Sequence, residues 1–288
     1  MSWLPDIVET RARHPEAIAA AAARRVPADL ADDHLLIVAA DHPARAALGS
    51  GELAMAMADR VDLIDRLRLA LANPRVHGVL AGPDVLEDLL LLGALDRKLV
   101  LGSMNRAGIA GAAFEIDDRF TGCAPETLRQ MGFDGGKMLL RIDPSDPATP
   151  RALESCAGAV SALADRRLMA MVEPFWCYRE GGCTRNDLSP KAMIKAISVA
   201  SALGTTSAYT WLKVPVVEEM ERVMAASTLP ALVLGGETGS DRERLLSGWK
   251  RALALPTVRG LILGRNLLYP PDGDTAGAVD TAVELVAP

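Results

Sequence analysis

The sequence lacks the features that mark several common classes of protein. Its formal net charge is −6, without the clustered Lys and Arg that bind nucleic acid or an anionic membrane. No apolar run approaches the length needed to span a bilayer, and the N-terminal segment has early acidic residues and no apolar core of signal-peptide type. We therefore expect a cytoplasmic protein that acts on a small molecule, with no nucleic-acid or membrane partner.

Metal ligands and reactive thiols are also scarce. The histidines are His14, His34, His42 and His77. The first two precede the first predicted strand, so at most two histidines could converge on a metal. The cysteines are Cys123, Cys156, Cys177 and Cys183. They have no CxxC spacing and are interpreted as reduced, non-catalytic thiols. No glycine fingerprint for a dinucleotide follows the first strand, so we expect no metal and no cofactor.

Short apolar segments alternate with helical patterns along the chain. Eight such segments read HLLIVAADH, VHGVLAG, KLVLGSM, KMLLRID, LMAMVEP, SAYTWLKVP, PALVLGGE and RGLILGRN. Their apolar character is typical of parallel strands covered on both faces. The pattern predicts an α/β fold, a single (β/α)8 TIM-barrel domain over 1–288, with 1–33 as an N-terminal extension carrying an extra helix. The longest irregular segment, Asn105 to about Thr127, is a candidate loop over the barrel mouth.

A lysine stands near the end of the strand in TTSAYTWLKVPVV. Lys213 is either a structural lysine neutralised by Glu173 or a nucleophile that forms an imine with a substrate carbonyl. The second role needs the neutral amine, which apolar neighbours and repulsion from Lys137 would favour. The sequence leaves open whether Glu173 pairs with Lys213 or with Lys137.

Glycines follow the last two predicted strands. Gly235 and Gly236 follow the seventh strand and Gly264 follows the eighth, where backbone amides can approach a phosphate closely. Arg265 would add positive charge. Glycines can also simply turn the chain, but their position at neighbouring strand ends favours a phosphate site.

Several segments resemble the class I, Schiff-base aldolases of the DeoC/FbaB/LacD superfamily, nearest to the tagatose-bisphosphate aldolase branch. The resemblance runs from about His34 to the end and is carried by GFDGGKMLLRIDPSDP, LMAMVEPF, KAMIKAISVAS, YTWLKVPVV, GGETGS and GRNLLYP. It implies that Lys213 forms the imine, that Glu173 moves protons, and that Asp41 and Lys137 assist.

Two arginines distinguish this sequence from those relatives. Arg106 follows the third predicted strand and Arg141 lies near the end of the fourth, both away from the phosphate loops. The guanidinium group of an arginine suits a carboxylate. Either arginine could instead make a structural ion pair. The segments ADHPARAALG, GSMNRAG and LLYPPDGD resemble an actinobacterial group associated with myo-inositol breakdown. That resemblance implies cleavage of 6-phospho-5-dehydro-2-deoxygluconate to dihydroxyacetone phosphate and malonate semialdehyde.

The predicted catalytic residues are therefore Lys213, Glu173, Lys137 and Asp41. The predicted substrate-binding residues are Ser103, Arg106, Arg141, Gly235, Gly236, Gly264 and Arg265. The alternatives are an aldolase for tagatose or fructose bisphosphate or for a sulfosugar phosphate, a phosphosugar isomerase, and a non-catalytic sugar-phosphate-binding barrel. The expected partner is a phosphorylated sugar or keto acid, and the sequence also allows a homo-oligomer.

Overall fold

The computed structural model describes residues 2–29, 34–236 and 242–287. The strands are β1 Leu35–Ala40, β2 Gly78–Ala81, β3 Leu99–Ser103, β4 Gly135–Ile142, β5 Met169–Glu180, β6 Cys183–Asp187, β7 Thr210–Pro215, β8 Ala231–Leu234 and β9 Val258–Leu263. The helices are α1 Leu4–Arg13, α2 Glu16–Arg24, α3 Arg60–Ala72, α4 Pro83–Leu91, α5 Pro125–Gln130, α6 Thr149–Asp165, α7 Pro190–Ser201, α8 Met220–Met224, α9 Arg242–Leu253, α10 Arg265–Leu268 and α11 Thr275–Val286, with a short 3-10 helix at Pro43–Arg45.

Eight of the strands close into a parallel barrel. The order is β4-β3-β2-β1-β9-β8-β7-β5, and pairing of β4 with β5 completes the circle. Each strand pairs with its neighbours in parallel register, for example Val38 with Val79 and Leu36 with Leu261. The predicted TIM barrel is confirmed.

Side chains alternate between the barrel interior and the layer of helices. The interior contains an apolar cluster that includes Ile37, Leu101, Met171 and Ile262. Outward-facing strand residues pack with the helices in a larger apolar core. Because inward positions recur every second residue, the next inward position after Met171 is Glu173, at the carboxyl end of the barrel. The apolar strand interior thus positions a polar layer directly above it.

The N-terminal extension contains two helices rather than the one that was expected. Helix α1 ends before His14 and α2 begins after Pro15, because proline cannot supply the N–H that would continue the first helix. Arg11 on α1 forms ion pairs with Glu87 and Asp88 of α4, so the extension packs on the outside of the barrel. Residues 30–33 of the extension lie outside the described residues. Within the described ranges, no helix has the length and apolar character required to cross a membrane.

The fifth barrel strand does not end at Glu173, as the sequence was taken to indicate. Strand β5 continues to Glu180 and turns back through Gly181 and Gly182 into β6, which pairs with it antiparallel. Both glycines have positive φ angles, 57° and 82°, a conformation that glycine adopts without steric cost. The hairpin extends past the carboxyl ends of the barrel strands.

Candidate active site

Four of the predicted residues form one connected line of charge at the carboxyl end of the barrel. The Lys213 amine lies 3.2 Å from Oε1 of Glu173, whose Oε2 pairs with Lys137. The amine of Lys137 lies 3.1 Å from Oδ2 of Asp41. All four residues are at least nine-tenths buried, with relative exposures of 2 to 8%. Glu173 therefore bridges the two lysines, which answers the pairing question that the sequence left open.

The two carboxyl groups are held in their ionised form. Burial alone would raise the pKa of Glu173, but the charges of Lys137 and Lys213 outweigh it and lower that pKa to about 2. Burial likewise opposes ionisation of Asp41, and Lys137 and Arg106 nevertheless hold its pKa well below the usual range. Both groups thus start as proton acceptors at neutral pH.

The two oxygens of Asp41 have different surroundings. Oδ2 accepts from Ser103 Oγ at 3.3 Å, from Arg106 Nη1 at 3.0 Å and from Lys137 Nζ at 3.1 Å. Oδ1 receives no hydrogen bond from any described residue. The donors fix the carboxylate by one oxygen and leave the other one able to accept a proton.

Arg106 is only partly satisfied by Asp41. Its side chain is 6% exposed, and its Nε and Nη2 atoms are buried without a hydrogen-bond partner among the described residues. A buried guanidinium edge without an acceptor is costly. This edge, formed by Nε and Nη2, matches the two oxygens of a carboxylate.

Arg141, the other arginine predicted to bind substrate, is already paired. Its Nη2 lies 2.7 Å from Oε1 of Glu115, and its Nη1 donates to the Glu115 carbonyl at 3.3 Å. Lys137 and Arg141 are four residues apart on one strand, so Arg141 lies about 13 Å farther along it. The structure brings Arg106 into the charged cluster. It places Arg141 against the third loop, which is the connection of residues 104–124 between β3 and α5.

The third loop is pinned onto the barrel. Asp118 forms a buried ion pair with Arg45, and Arg45 Nη1 donates to the Gly108 carbonyl at 3.0 Å. The Asn105 side chain pairs with the backbone of Leu139 on β4, donating at 2.6 Å and accepting at 2.8 Å. These contacts make the loop a fixed wall of the mouth.

The two glycine-containing loops meet beside β1. Gly235 follows β8, and its carbonyl accepts from Asn266 Nδ2 at 2.7 Å, so the Gly235 and Gly264 loops are joined. Gly236 has a φ of 69°, and Arg265 donates to the Gly49 carbonyl at 3.1 Å. Residues 237–241 of the GGETGS motif lie outside the described residues.

Three polar residues near the site received no role from the sequence: Asn105, Asn266 and His42. Asn266 directly follows the predicted phosphate residue Arg265, so its place in the motif was available as a signal. The contact of Asn105 could not be predicted in this way, because its partner is the backbone of a strand 34 positions away. His42 directly follows Asp41 at the end of β1.

The cysteines lie free, as expected. Burial raises the pKa of Cys123, Cys156 and Cys177 to about 12 in each case. These groups remain thiols at neutral pH and are poor nucleophiles.

The fold and this cluster define a class: a TIM barrel with two lysines and two carboxylates buried at its carboxyl end. The sequence profile of the Cgl0159-like family matches residues 33–283, and the chain belongs to that family.

Solved structures and a curated sequence add three comparisons. The crystal structure of Cgl0159 from Corynebacterium glutamicum is 48% identical, with a TM-score of 0.95 over 98% of this chain and 96% of that chain. An archaeal fructose-1,6-bisphosphate aldolase shares the fold at 18% identity, with a TM-score of 0.64 over 93% of this chain and 99% of that chain. A 2-amino-4,5-dihydroxy-6-oxo-7-(phosphonooxy)heptanoate synthase from Streptomyces griseus is 33% identical over 117 residues. That match spans 40% of the length of each of the two proteins.

Proposed function

We propose that the protein is a class I aldolase in which Lys213 forms an imine with a phosphorylated ketone. The observation that carries this proposal is the buried line of Lys213, Glu173, Lys137 and Asp41. An archaeal aldolase with the same barrel fold has its catalytic lysine covalently bound to the carbinolamine intermediate of its substrate.

Two cations and two carboxylates form one cluster with Lys213. Lys137 and Arg106 supply the positive charges, and Asp41 and Glu173 supply the negative charges. Glu173 lies 3.2 Å from the Lys213 amine and can accept the proton that this amine loses during imine formation. The neutral amine is the form that attacks a carbonyl.

Imine formation uses the bridging carboxylate. The Lys213 nitrogen attacks the ketone carbon, and the carbonyl oxygen becomes a hydroxyl. Glu173 starts ionised, so it takes a proton from the attacking nitrogen and delivers it to this oxygen, which gives the hydroxyl. A second proton, drawn from solvent through Glu173, then goes to the hydroxyl, which leaves as water and leaves a protonated imine. Lys137 holds the other oxygen of Glu173 and keeps this carboxylate in reach of Lys213.

Cleavage then uses the free oxygen of Asp41. As Oδ1 of Asp41 removes the proton of the hydroxyl β to the imine carbon, that C–O⁻ becomes an aldehyde and the carbon–carbon bond breaks. The bonding electrons pass to the protonated imine, which becomes an enamine. Reprotonation of the enamine and hydrolysis release the second product and restore Lys213.

The proposed substrate is a phosphorylated keto acid, 6-phospho-5-dehydro-2-deoxygluconate. In the barrel order β8 and β9 lie opposite β3 and β4, so a phosphate at Gly235, Gly236, Gly264 and Arg265 leaves the other end of the substrate towards Ser103 and Arg106. The buried edge of Arg106 supports a carboxylate there. The Streptomyces griseus relative is named for a compound with a phosphate beside a ketone and a carboxylate at the opposite end. Arg141 supports this assignment less, since Glu115 occupies its guanidinium.

A cleavage assay with matched substrates tests the proposal. We expect release of dihydroxyacetone phosphate from the keto acid, measured by a coupled reductase, and slower release from fructose or tagatose bisphosphate. Arg106→Lys keeps a positive charge beside Asp41 but not the two-pronged edge, so it should lower kcat/KM for the keto acid by about 10- to 100-fold more than kcat/KM for the ketose bisphosphates. An equal loss for both substrate types would show that Arg106 does not bind a carboxylate. No cleavage of any of them, with interconversion of aldose and ketose phosphates instead, would favour an isomerase.

A further inference from the structure

His42 lies between the charged cluster and the two glycine loops. It directly follows Asp41 at the end of β1, and its ring rests against Gly264 at the end of the neighbouring strand β9. A Cβ added to Gly264 would lie 2.8 Å from Cε1 of His42 and 3.6 Å from its Nδ1. The absence of a side chain at Gly264 is therefore what lets the imidazole approach this backbone.

One nitrogen of the imidazole has no hydrogen-bond partner among the described residues. This atom, Nδ1, is buried. The His42 backbone, in contrast, is fixed, because its carbonyl accepts from the amides of Arg45 at 3.0 Å and Ala47 at 3.3 Å. A ring held in place with an unused buried nitrogen is suited to contact a bound molecule.

The surroundings of His42 keep the ring neutral. Burial lowers its pKa to about 3, and the charges of Lys213 and Arg265 add to that effect against the opposing charges of Asp41 and Glu173. A neutral imidazole offers one N–H donor there without adding a further cation to the cluster.

We propose that His42 is a substrate-binding residue that donates a hydrogen bond to the phosphate end of the substrate, next to Gly264 and Arg265. This inference rests on the proposed function, since it assumes that Lys213 bonds to the ketone beside the phosphate-bearing carbon. His42 would then favour phosphorylated three-carbon ketones over their unphosphorylated forms.

Two probes separate a phosphate contact from a contact to the ketone. Dihydroxyacetone phosphate and dihydroxyacetone have the same ketone and differ in the phosphate. Each is incubated with the enzyme and borohydride, and the concentration that gives half-maximal trapping is read from the intact mass. The variants are His42→Ala, His42→Asn and His42→Gln, because the Asn and Gln amides replace Nδ1 and Nε2 respectively. His14→Ala, at an exposed position outside the barrel, is the matched control.

We expect His42→Ala to raise the half-maximal concentration for dihydroxyacetone phosphate by about tenfold or more, the effect of one lost hydrogen bond to a charged group. The value for dihydroxyacetone should stay within about twofold. One of the two amide variants should restore the preference for the phosphate.

Other outcomes would overturn the inference. Equal effects on both probes would place His42 at the ketone, and an unchanged value for the phosphorylated probe would give it no role in binding. Failure of the amide variants to restore the preference, in proteins with unaltered circular dichroism, would show that the ring acts only by packing. If neither probe is trapped on the unmodified enzyme, the proposed imine chemistry fails. That result is distinct from a failure of the proposed role of His42, which requires trapping in the unmodified enzyme.

Discussion

At the scale of single residues, the two carboxylates of the site differ in what remains open to them. Both oxygens of Glu173 are taken by lysines, whereas Oδ1 of Asp41 has no partner among the described residues. We therefore assign imine formation to Glu173 and carbon–carbon cleavage to Asp41. Each assignment gives a separate prediction.

Asp41→Asn should separate imine formation from carbon–carbon cleavage. The amide keeps the shape of the side chain but cannot accept the hydroxyl proton, so cleavage should fall by about 10²- to 10⁴-fold. Trapping of dihydroxyacetone phosphate by borohydride should persist, because imine formation is assigned to Lys213 and Glu173 and these two residues are unchanged. Cleavage at the unmodified rate, or a parallel loss of trapping and cleavage, would contradict the assignment.

Glu173→Gln should change how stability depends on pH. The pKa of Glu173 is about 2 in the folded protein, below its ordinary value of about 4.3 in an unfolded chain. Ionised Glu173 thus contributes stability above about pH 4.3 that is lost as the pH falls toward about 2. The difference in unfolding free energy between the unmodified protein and Glu173→Gln should shrink over that interval.

Urea unfolding at a series of pH values measures that difference. Glu221→Gln, on an exposed position of α8, controls for the loss of a carboxylate at the surface. A difference between the unmodified protein and Glu173→Gln that stays constant from pH 5 to pH 3 would mean that Glu173 is not held ionised by the lysines.

The sequence singled out these residues for a physical reason. Inward positions of barrel strands are apolar, so a Lys or Glu at such a position stands out even without a structure. The sequence did not reveal which charged side chains pair with each other. Asp41 and Lys137 are 96 positions apart, and only the closed barrel brings them together. The same limit applies to Arg141, whose partner Glu115 comes from an irregular loop.

At the scale of elements, the third loop is held on the barrel by a buried ion pair. Its buried contact between Arg45 and Asp118 involves side chains that are 6% and 3% exposed. Asp117, the preceding residue, pairs instead with Arg119 near the surface. The two adjacent aspartates therefore form a matched pair for a stability test.

Asp118→Asn should destabilise the protein by about 3 to 5 kcal/mol, because it leaves the buried Arg45 charge uncompensated. Asp117→Asn should cost less than about 1 kcal/mol, as expected for an exposed ion pair. Thermal or denaturant unfolding of the two variants gives the comparison. Equal small losses would mean that the loop is not pinned by Arg45 and is free to open.

The hairpin of β5 and β6 is the element that the sequence interpretation missed. Part of the signal was present, because the Gly181–Gly182 pair follows FWCY, a run of strand-forming residues. Ending the strand at Glu173 hid it. The proline is tolerated because β7 pairs with β5 only as far as Val172, whereas β4 pairs with β5 beyond the proline, as Ile142 with Trp176 shows.

At the scale of the whole molecule, the barrel and the N-terminal extension make separable contributions. Helix α1 contacts α4 through Arg11 and α3 through the hydrogen bond of Trp3 to Asp65 at 2.8 Å, both on the outer surface. The family match also begins only at residue 33. Removing 2–13 should lower the melting temperature by several degrees, about 1 to 2 kcal/mol, and leave kcat unchanged. A large loss of kcat in a protein that keeps its circular dichroism would show that α1 supports the site.

The barrel as a whole could be predicted because eight apolar segments recur with helical patterns between them. The break between α1 and α2 was missed although Pro15 marks it in the sequence, because a proline is also tolerated in the first turn of a helix. The periodicity of buried positions can be read from neighbouring residues in the sequence. The exact limits of a helix depend in addition on which backbone N–H groups are available.

The central claim is that Lys213 is the amine that bonds to the substrate, and peptide mass spectrometry of borohydride-treated enzyme tests it most directly. With dihydroxyacetone phosphate present, the account predicts one added three-carbon phosphate fragment on the peptide that contains Lys213. Lys191→Ala, at an exposed position on α7, should be labelled equally, and Lys213→Ala should not be labelled. An adduct on another lysine, or turnover by Lys213→Ala at the unmodified rate, would contradict the account.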